Sequence, residues 1–511
     1  MSKTPNDQLL FELIKSLTKS EKRSFKLFAT RNGGDTDAKY IRLFDVLDKM
    51  DSYDEKAILK KLKGVSKTQF SNQKSHLYGQ VLSSLRLSHL KVDIDIELRE
   101  QLDYIRVLYK KGLYFQSLRL LSRAKKITGN YRKDLFQLAL LDYEKQIRSQ
   151  QVFDLEEDYA KLIDEETDQA MDRFNRVQKL FSLASRMKAR FVEKGMVKSE
   201  QEMNNLKALF YRNLPEHNEE LMAFNERFYL YRAFYWFSYL TYDFENCVKY
   251  AEKWVLLFQE TGLDKKRKAG YLKGLNRLLQ SAFRVEDREK FVEYYDELIN
   301  FEKQEKPLAS NTQHLLLKYK VLQSLNRLFL ITDFDEQQDQ LEALLAQTEK
   351  ERSFIDKHNL LVIYYKAGVF FFAQQNYSKA TYYFTQLIQD KDKLRTDLKG
   401  FARMMLVLID FDSGDEQYLD RRVKAAYLHF DQHKSLTAFK EIFLDFIGNA
   451  DKIYPQDLKK QFKALKLKME RLEGETFTKK LQLYFDLMSW LDAKIEGKTF
   501  KEIVQRKAID A

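Results

Sequence analysis

A chain of 511 residues with a net charge of +12, only four prolines, sixteen glycines and one cysteine has room for roughly three average domains or one elongated repeat array. So few helix breakers predict long helices joined by short turns, and the single cysteine, Cys247, excludes an internal disulfide framework and argues for a reducing compartment. No window reaches the ~18 uninterrupted apolar residues of a spanning helix, and the opening MSKTPNDQLLFELIKS lacks the order of a secretory signal, so the expectation is a cytoplasmic protein without membrane insertion.

Residues 1–90 are expected to form a basic helical N-terminal module. They carry 17 Lys+Arg against 10 Asp+Glu, which is seven of the twelve net charges. Thr18 followed three residues later by Glu21 has capping-box spacing and opens a helix with Phe25 and Phe28 on one face. After the loop RNGGDTDAK come three predicted helices: AKYIRLFDVLDKM, SYDEKAILKKL ending at Gly64, and SKTQFSNQKSHLYGQVLSSLRL with Ser66 as its cap. The last two, with the turn between them, fit a helix-turn-helix. In that reading Phe70 points inward, Ser66, Lys67, Thr68 and Asn72 face base edges, and Lys60, Lys61, Lys63 and Lys74 lie near phosphates. Lys60 stands where such motifs place a small residue, which sets the motif against a plain helical module with solvated lysines and Phe70, Leu77, Val81 and Leu85 docked inward.

From about residue 91 a different pattern recurs. DYIRVLYKKGLYFQSLRLLSRA has a turn at Gly112 followed by Tyr114, Ser117, Leu121 and Ala124; RAFYWFSYLTYDFENCVKYAEKW gives Phe244, Cys247, Ala251 and Trp254 at the same offsets. The clearest copy is YYKAGVFFFAQQNYSKATYYFTQLI, with Tyr364, Gly368 and Phe371 on one helical face and Tyr377, Ala380, Phe384 and Leu387 on the next, separated by a polar break. LIDFDSGDEQYLDRRVKAAY contributes a further turn at Gly414. Large residues beside small ones let two helices approach closely, so the aromatics read as filling of a helical hairpin.

This order resembles the tetratricopeptide repeat, with Tyr364 in place of the usual tryptophan and Gln375 in place of the usual turn glycine. The resemblance implies an all-α fold: a TPR-like α-solenoid over residues 91–450, following the N-terminal module and completed by a helical C-terminal cap over residues 451–511. It also implies that the first helix of each unit lines a groove for a peptide or a partner's helix. The groove positions would be Arg99, Arg106, Tyr109 and Lys110; Arg232, Trp236 and Tyr239; and Tyr365 and Phe372. Tyr365 and Val369 stand where the best-known members hold a two-carboxylate clamp, so that specificity does not carry over. The cap is read from Leu458, Phe462, Leu465, Met469 and Leu472 on one face of DLKKQFKALKLKMERL.

Catalytic signatures fail on inspection. His429 and His433 lie one helical turn apart without a third ligand and read as surface histidines. In DFDSGDEQYLD Arg421 occupies the place of a calcium loop's bidentate glutamate, and in DAKIEGKT Asp492 replaces the first glycine of a phosphate loop. No enzyme, cofactor or metal is expected. Two functions stand: a scaffold that binds a protein or peptide partner, and a nucleic-acid-binding regulator with the solenoid as sensor or dimerisation body.

Overall fold

The computed structural model describes residues 6–31, 39–62, 66–90, 92–150, 157–197, 199–304, 308–332, 337–392, 394–433, 436–472 and 485–510. Among these residues the chain is all helical, with 24 α-helices, and no helix is long and apolar enough to cross a membrane. It divides into two compact units, residues 1–174 and 175–511.

The first unit contains α1 (Asn6–Ser16), α2 (Lys19–Thr30), α3 (Lys39–Lys49), α4 (Glu55–Lys61), α5 (Lys67–His89), α6 (Ile94–Lys110), α7 (Tyr114–Tyr131), α8 (Asp134–Arg148) and the beginning of α9 (Glu157–Lys194). Local sequence sets the starts of these helices. Thr18 accepts from the Glu21 amide and Glu21 reaches back to the Thr18 amide, and Ser66 and Gln69 repeat the arrangement at α5. Two cores follow. Leu10, Ile14, Phe25, Phe44, Ile58, Phe70, Leu77 and Val81 close the first five helices, and Leu98, Ile105, Leu121, Ala124, Leu140 and Ile147 close α6 to α8. Each fully buried Leu or Phe contributes about 1.5–3 kcal/mol.

The second unit continues through α10 (Glu200–Asn213), α11 (Phe224–Leu240), α12 (Phe244–Glu260), α13 (Lys268–Arg284), α14 (Arg288–Gln304), α15 (Ser310–Ile331), α16 (Gln338–Lys350), α17 (Lys357–Ala373), α18 (Tyr377–Gln389), α19 (Thr396–Ser413), α20 (Glu416–Gln432), α21 (Ala438–Gly448), α22 (Pro455–Leu472), α23 (Leu487–Glu496) and α24 (Phe500–Asp510). The helices pack in sequential pairs, α11 with α12, α13 with α14, α15 with α16, α17 with α18 and α19 with α20. From α13 onward each first helix also packs on the first helix of the next pair. Close approach is set by glycine against a ring: a Cβ on Gly368 would meet Phe384 at 2.6 Å, and one on Gly400 would meet Phe430 at 2.5 Å.

One turn recurs across both units. Gly112, Tyr242, Glu286, Gln375 and Gly414 have φ between 57° and 73°. In each case the following amide donates to the carbonyl five residues back: Leu113 to Leu108, Asp243 to Ser238, Asp287 to Ala282, Asn376 to Phe371 and Asp415 to Asp410, at 2.8–3.0 Å. This is the closure of a Schellman motif, which satisfies the orphan carbonyls at the end of the first helix.

The C-terminal helices fold back. Pro455 opens α22, where a missing N–H costs nothing, and Phe462, Leu465 and Met469 are buried as their spacing predicts, while the Leu472 side chain lies outside the described residues. Fully buried Trp490 packs against Phe411, Phe443 and Phe462 and donates to Asp412 at 3.1 Å. Phe485 and Phe500 lie on Phe372 at the end of α17, and Gln505 donates to the Thr332 carbonyl at the end of α15. The segment therefore runs across the ends of the first helices, which its own apolar periodicity could not disclose.

Candidate functional site

The expected groove positions divide. On α6, Arg99, Arg106 and Lys110 are exposed and Tyr109 is half-buried; Arg106 lies over Tyr109 and Tyr143 and donates to Gln146. In the second unit Trp236, Tyr239, Tyr365 and Phe372 are all 5 % exposed or less, so the expectation that they present area to a partner is corrected. Phe191 of α9 covers Trp236 and Tyr239, with ring centroids 5.6 and 5.1 Å away. Phe384 covers Tyr365, and the folded-back C-terminal segment covers Phe372. Large aromatics at these positions serve the seams between helices.

Of the N-terminal candidates, Lys60, Lys61, Ser66, Thr68 and Asn72 are exposed, while Lys74 sits over the Phe70 ring at 4.4 Å. Lys63, Gly64 and the Lys67 side chain lie outside the described residues. Among the described residues α4 packs on α3, and α5 on α1, α2 and α3. Helix-turn-helix geometry needs its two helices packed on each other, and among the described residues α4 packs more on α3 than on α5.

The His429–His433 reading also changes. His429 is 7 % exposed and hydrogen-bonds to the Thr396 carbonyl at 3.1 Å; burial pushes it down to about 4, so it is neutral and structural. Among the described residues no three metal-ligating side chains gather.

What the structure does bring together is a set of cations on successive helices of the second unit: Lys188 on α9, Arg232 on α11, Lys273 and Arg277 on α13, and Lys318 on α15. Arg232 is held by its faces, with its guanidinium 5.3, 5.2 and 5.6 Å from the rings of Phe228, Tyr229 and Trp254. Its Nε is buried and has no hydrogen-bond partner. Arg277 lies 4.6 Å over Trp236 and donates to Gln280, which in turn donates to the Tyr239 hydroxyl. Lys273 precedes Arg277 by four residues and so shares its helix face. Lys318 pairs with Asp356, the N-cap of α17, at 2.7 Å.

These charges act on one another. Burial, reinforced by Arg277 and Arg232, lowers Lys188; burial, then Arg232, Lys188 and Lys318, lowers Lys273. Burial and Arg277 likewise lower Arg232. Lys188 and Lys273 nevertheless keep exposed side chains, so the cluster meets water at these two lysines. Asp356 is the carboxylate that acts on Lys188 and pairs with Lys318. Burial works against its ionised form, but hydrogen bonds from Lys318 and Asn359 outweigh it and hold the group down at about 2. His358 beside it is pushed down to about 4 by burial and Arg395, and its Nδ1 is buried without a partner.

A polar ladder extends the same helices. Asn276 accepts from Gln323, Gln323 from Asn326, and Asn326 from Lys366, at 2.8, 2.7 and 2.6 Å. Burial, with Arg284 adding to it, pushes Lys366 down to about 7. Sequence reasoning found Arg232 alone of the five cations, because α13 and α15 carry no aromatic–alanine signature. A repeated Leu-Asn-Arg, at residues 275–277 and 325–327, is the signal that links those two helices.

No family model, curated protein or solved structure matches this chain.

Proposed function

We propose that the chain is a non-catalytic scaffold, a TPR-like α-solenoid whose first helices form the docking face for an anionic segment of a partner protein. The observation that carries this reading is the convergence of Lys188, Arg232, Lys273, Arg277 and Lys318 from α9, α11, α13 and α15, with Asp356 as the acid in their field. Four helices contribute to one surface, as stacked repeats do when each supplies one residue to a shared face. Arginines fixed by aromatic rings favour protein recognition, because little side-chain freedom is lost on binding. The five recurrent Schellman turns and the glycine-to-ring contacts support the repeat reading of the pairs. On α6, Arg99, Arg106, Tyr109 and Lys110 supply a second accessible surface of similar chemistry.

The test is capture on the tagged protein from a native lysate of its own source, with and without nuclease, comparing wild type with the Lys188→Ala/Lys273→Ala double variant. Discrete proteins that survive nuclease and are lost from the variant are the expected result. Partners that vanish with nuclease, and are lost instead from a Lys60→Ala/Lys61→Ala variant, would make the chain a nucleic-acid binder and overturn the reading.

A further inference from the structure

We propose that the cluster of Lys188, Arg232, Lys273, Arg277 and Lys318 is a phosphoryl-binding site. The inference rests on the reading of these helices as a docking face and specifies the chemistry that the face recognises. Its grounds are charge, geometry and unfilled donors. Arg277 lies over Trp236, one turn from Arg232 on α11, and Phe191, three residues after Lys188, packs on the same Trp236, so the ring contacts bring the cations of α9, α11 and α13 together. A nucleic-acid strand instead needs them laid out along a track with exposed rings for its bases. The nearby rings are unsuited to that use: Trp236 and Tyr319 are buried, and Tyr229 faces Arg232.

A phosphoryl group places up to two charges and three acceptor oxygens on one centre, against one charge and two oxygens for a carboxylate. That density answers the arrangement here. Arg232 is fixed over three rings, so its charge is held in place at the floor of the cluster, and its buried Nε has no partner in the protein. Arg277 is fixed in the same manner by Trp236 and Gln280. Among the described residues Lys188, Lys273 and Arg232 form no ion pair, and Lys188 and Lys273 are open to water. Asp356 is already engaged by Lys318 and cannot neutralise the rest. A bound dianion would relieve the mutual repulsion that depresses both lysines. The phosphoryl group can belong to a phosphorylated segment of a protein or to a small phosphorylated molecule.

Full-length protein would be titrated calorimetrically, at one ionic strength, with sodium pyrophosphate, a peptide carrying two phosphoserines, the same peptide with glutamates in their place, and an oligothymidylate. The expected result is binding of pyrophosphate or of the phosphopeptide at least ~10-fold tighter than the glutamate peptide, a margin set by the second charge and third oxygen. Lys188→Ala/Lys273→Ala should lose at least ~10-fold of that affinity, while Lys60→Ala/Lys61→Ala leaves it unchanged. Both lysines of the first pair are exposed at the surface and repelled by their neighbours, so circular dichroism of that variant should match wild type and its urea midpoint should not fall. Arg232→Lys is a second variant, keeping the charge and losing the planar fork, and is expected to weaken binding as well.

Binding at alkaline pH should also take up protons, read from two buffers of different ionisation enthalpy, because the anion raises lysines that burial, Arg232, Arg277 and Lys318 hold down. Equal affinity for pyrophosphate and phosphopeptide identifies a small phosphorylated molecule as sufficient; tighter phosphopeptide binding identifies a modified partner; both support the site. Glutamate peptide binding as tightly as phosphopeptide, no phosphoryl binding, or binding untouched by Lys188→Ala/Lys273→Ala overturns it. If that happens while protein partners are still captured after nuclease, the phosphoryl inference falls alone. Oligothymidylate binding lost in the Lys188→Ala/Lys273→Ala variant would instead sink the protein-scaffold reading.

Discussion

Residues 6–90 and the second unit both carry clustered lysines and arginines, but the two regions place them in different surroundings. In the N-terminal helices the cations stand in water or beside their own acids: Lys22 pairs with Asp48 at 2.6 Å, Lys26 with Asp45 at 2.7 Å, and Lys60 and Lys61 are exposed. In the second unit Lys188, Arg232, Lys273 and Lys366 are desolvated and set near other cations. The excess is denser in the N-terminal region, +7 over ninety residues against +7 over residues 175–511. The stronger local field belongs to the other. Net charge measures composition, whereas a binding site depends on how many like charges the fold forces to share one low-dielectric place.

The contrast is sharpest at Lys366. Its folded-state pKa, about 7, lies below that of an unfolded lysine. Between the two values the unfolded chain binds the extra proton, so stability rises with pH over that window, and Lys440, pushed down to about 8, has the same sign. Lys366→Met should raise stability at pH 7 by about 1–3 kcal/mol, since replacing a buried charge by an apolar group of similar length commonly stabilises. It should also flatten the rise in urea midpoint between pH 7 and pH 9. Lys61→Met on exposed α4 should change neither by more than about 0.5 kcal/mol. Equal responses would erase the distinction between the two regions.

A smaller effect is expected at the acids. Asp356→Ala removes the cap of α17 and the partner of Lys318; with the side chain half exposed, the ion-pair share is screened and the total should be about 1–2 kcal/mol. Because its folded pKa of about 2 lies below the ordinary carboxylate value, this contribution is present above about pH 4 and is lost as pH falls towards 2. Asp48→Ala, which breaks only a surface pair, should cost less than about 1 kcal/mol. Urea titrations of both variants at pH 7 and pH 3 provide the comparison.

Much of the helix inventory was legible because its signals are local. The capping box at Thr18, the cap at Ser66, the break at Gln375 and the Phe462, Leu465 and Met469 face of α22 depend on residues within a turn or two of each other, and each is seen where the spacing places it. What sequence could not disclose depends on distant partners. Phe372 reads as a groove residue until Phe485 and Phe500, more than a hundred positions later, cover it. Trp236 reads the same way until Phe191 does so. The cation cluster was hidden for the same reason, since Lys188 and Lys318 are 130 positions apart and only the packing of α9 to α15 makes them neighbours.

The last contrast concerns the turn that both units share. Gly112 in the first unit and Gly414 in the second have φ of 73° and 71°, and a Cβ on either would meet nothing within 4 Å. Substitution there therefore tests backbone conformation alone. Gly112→Ala and Gly414→Ala should each cost about 1–2 kcal/mol, the penalty of holding an L-residue in the left-handed region. Gln375 holds the equivalent position at φ 57° with an exposed side chain, so Gln375→Gly should relieve that penalty. The greater freedom of an unfolded glycine offsets part of the gain and leaves a net increase below about 1 kcal/mol. A loss on Gln375→Gly would mean that its side chain contributes a contact outweighing the strain, and that the five turns are alike in shape without being alike in energy.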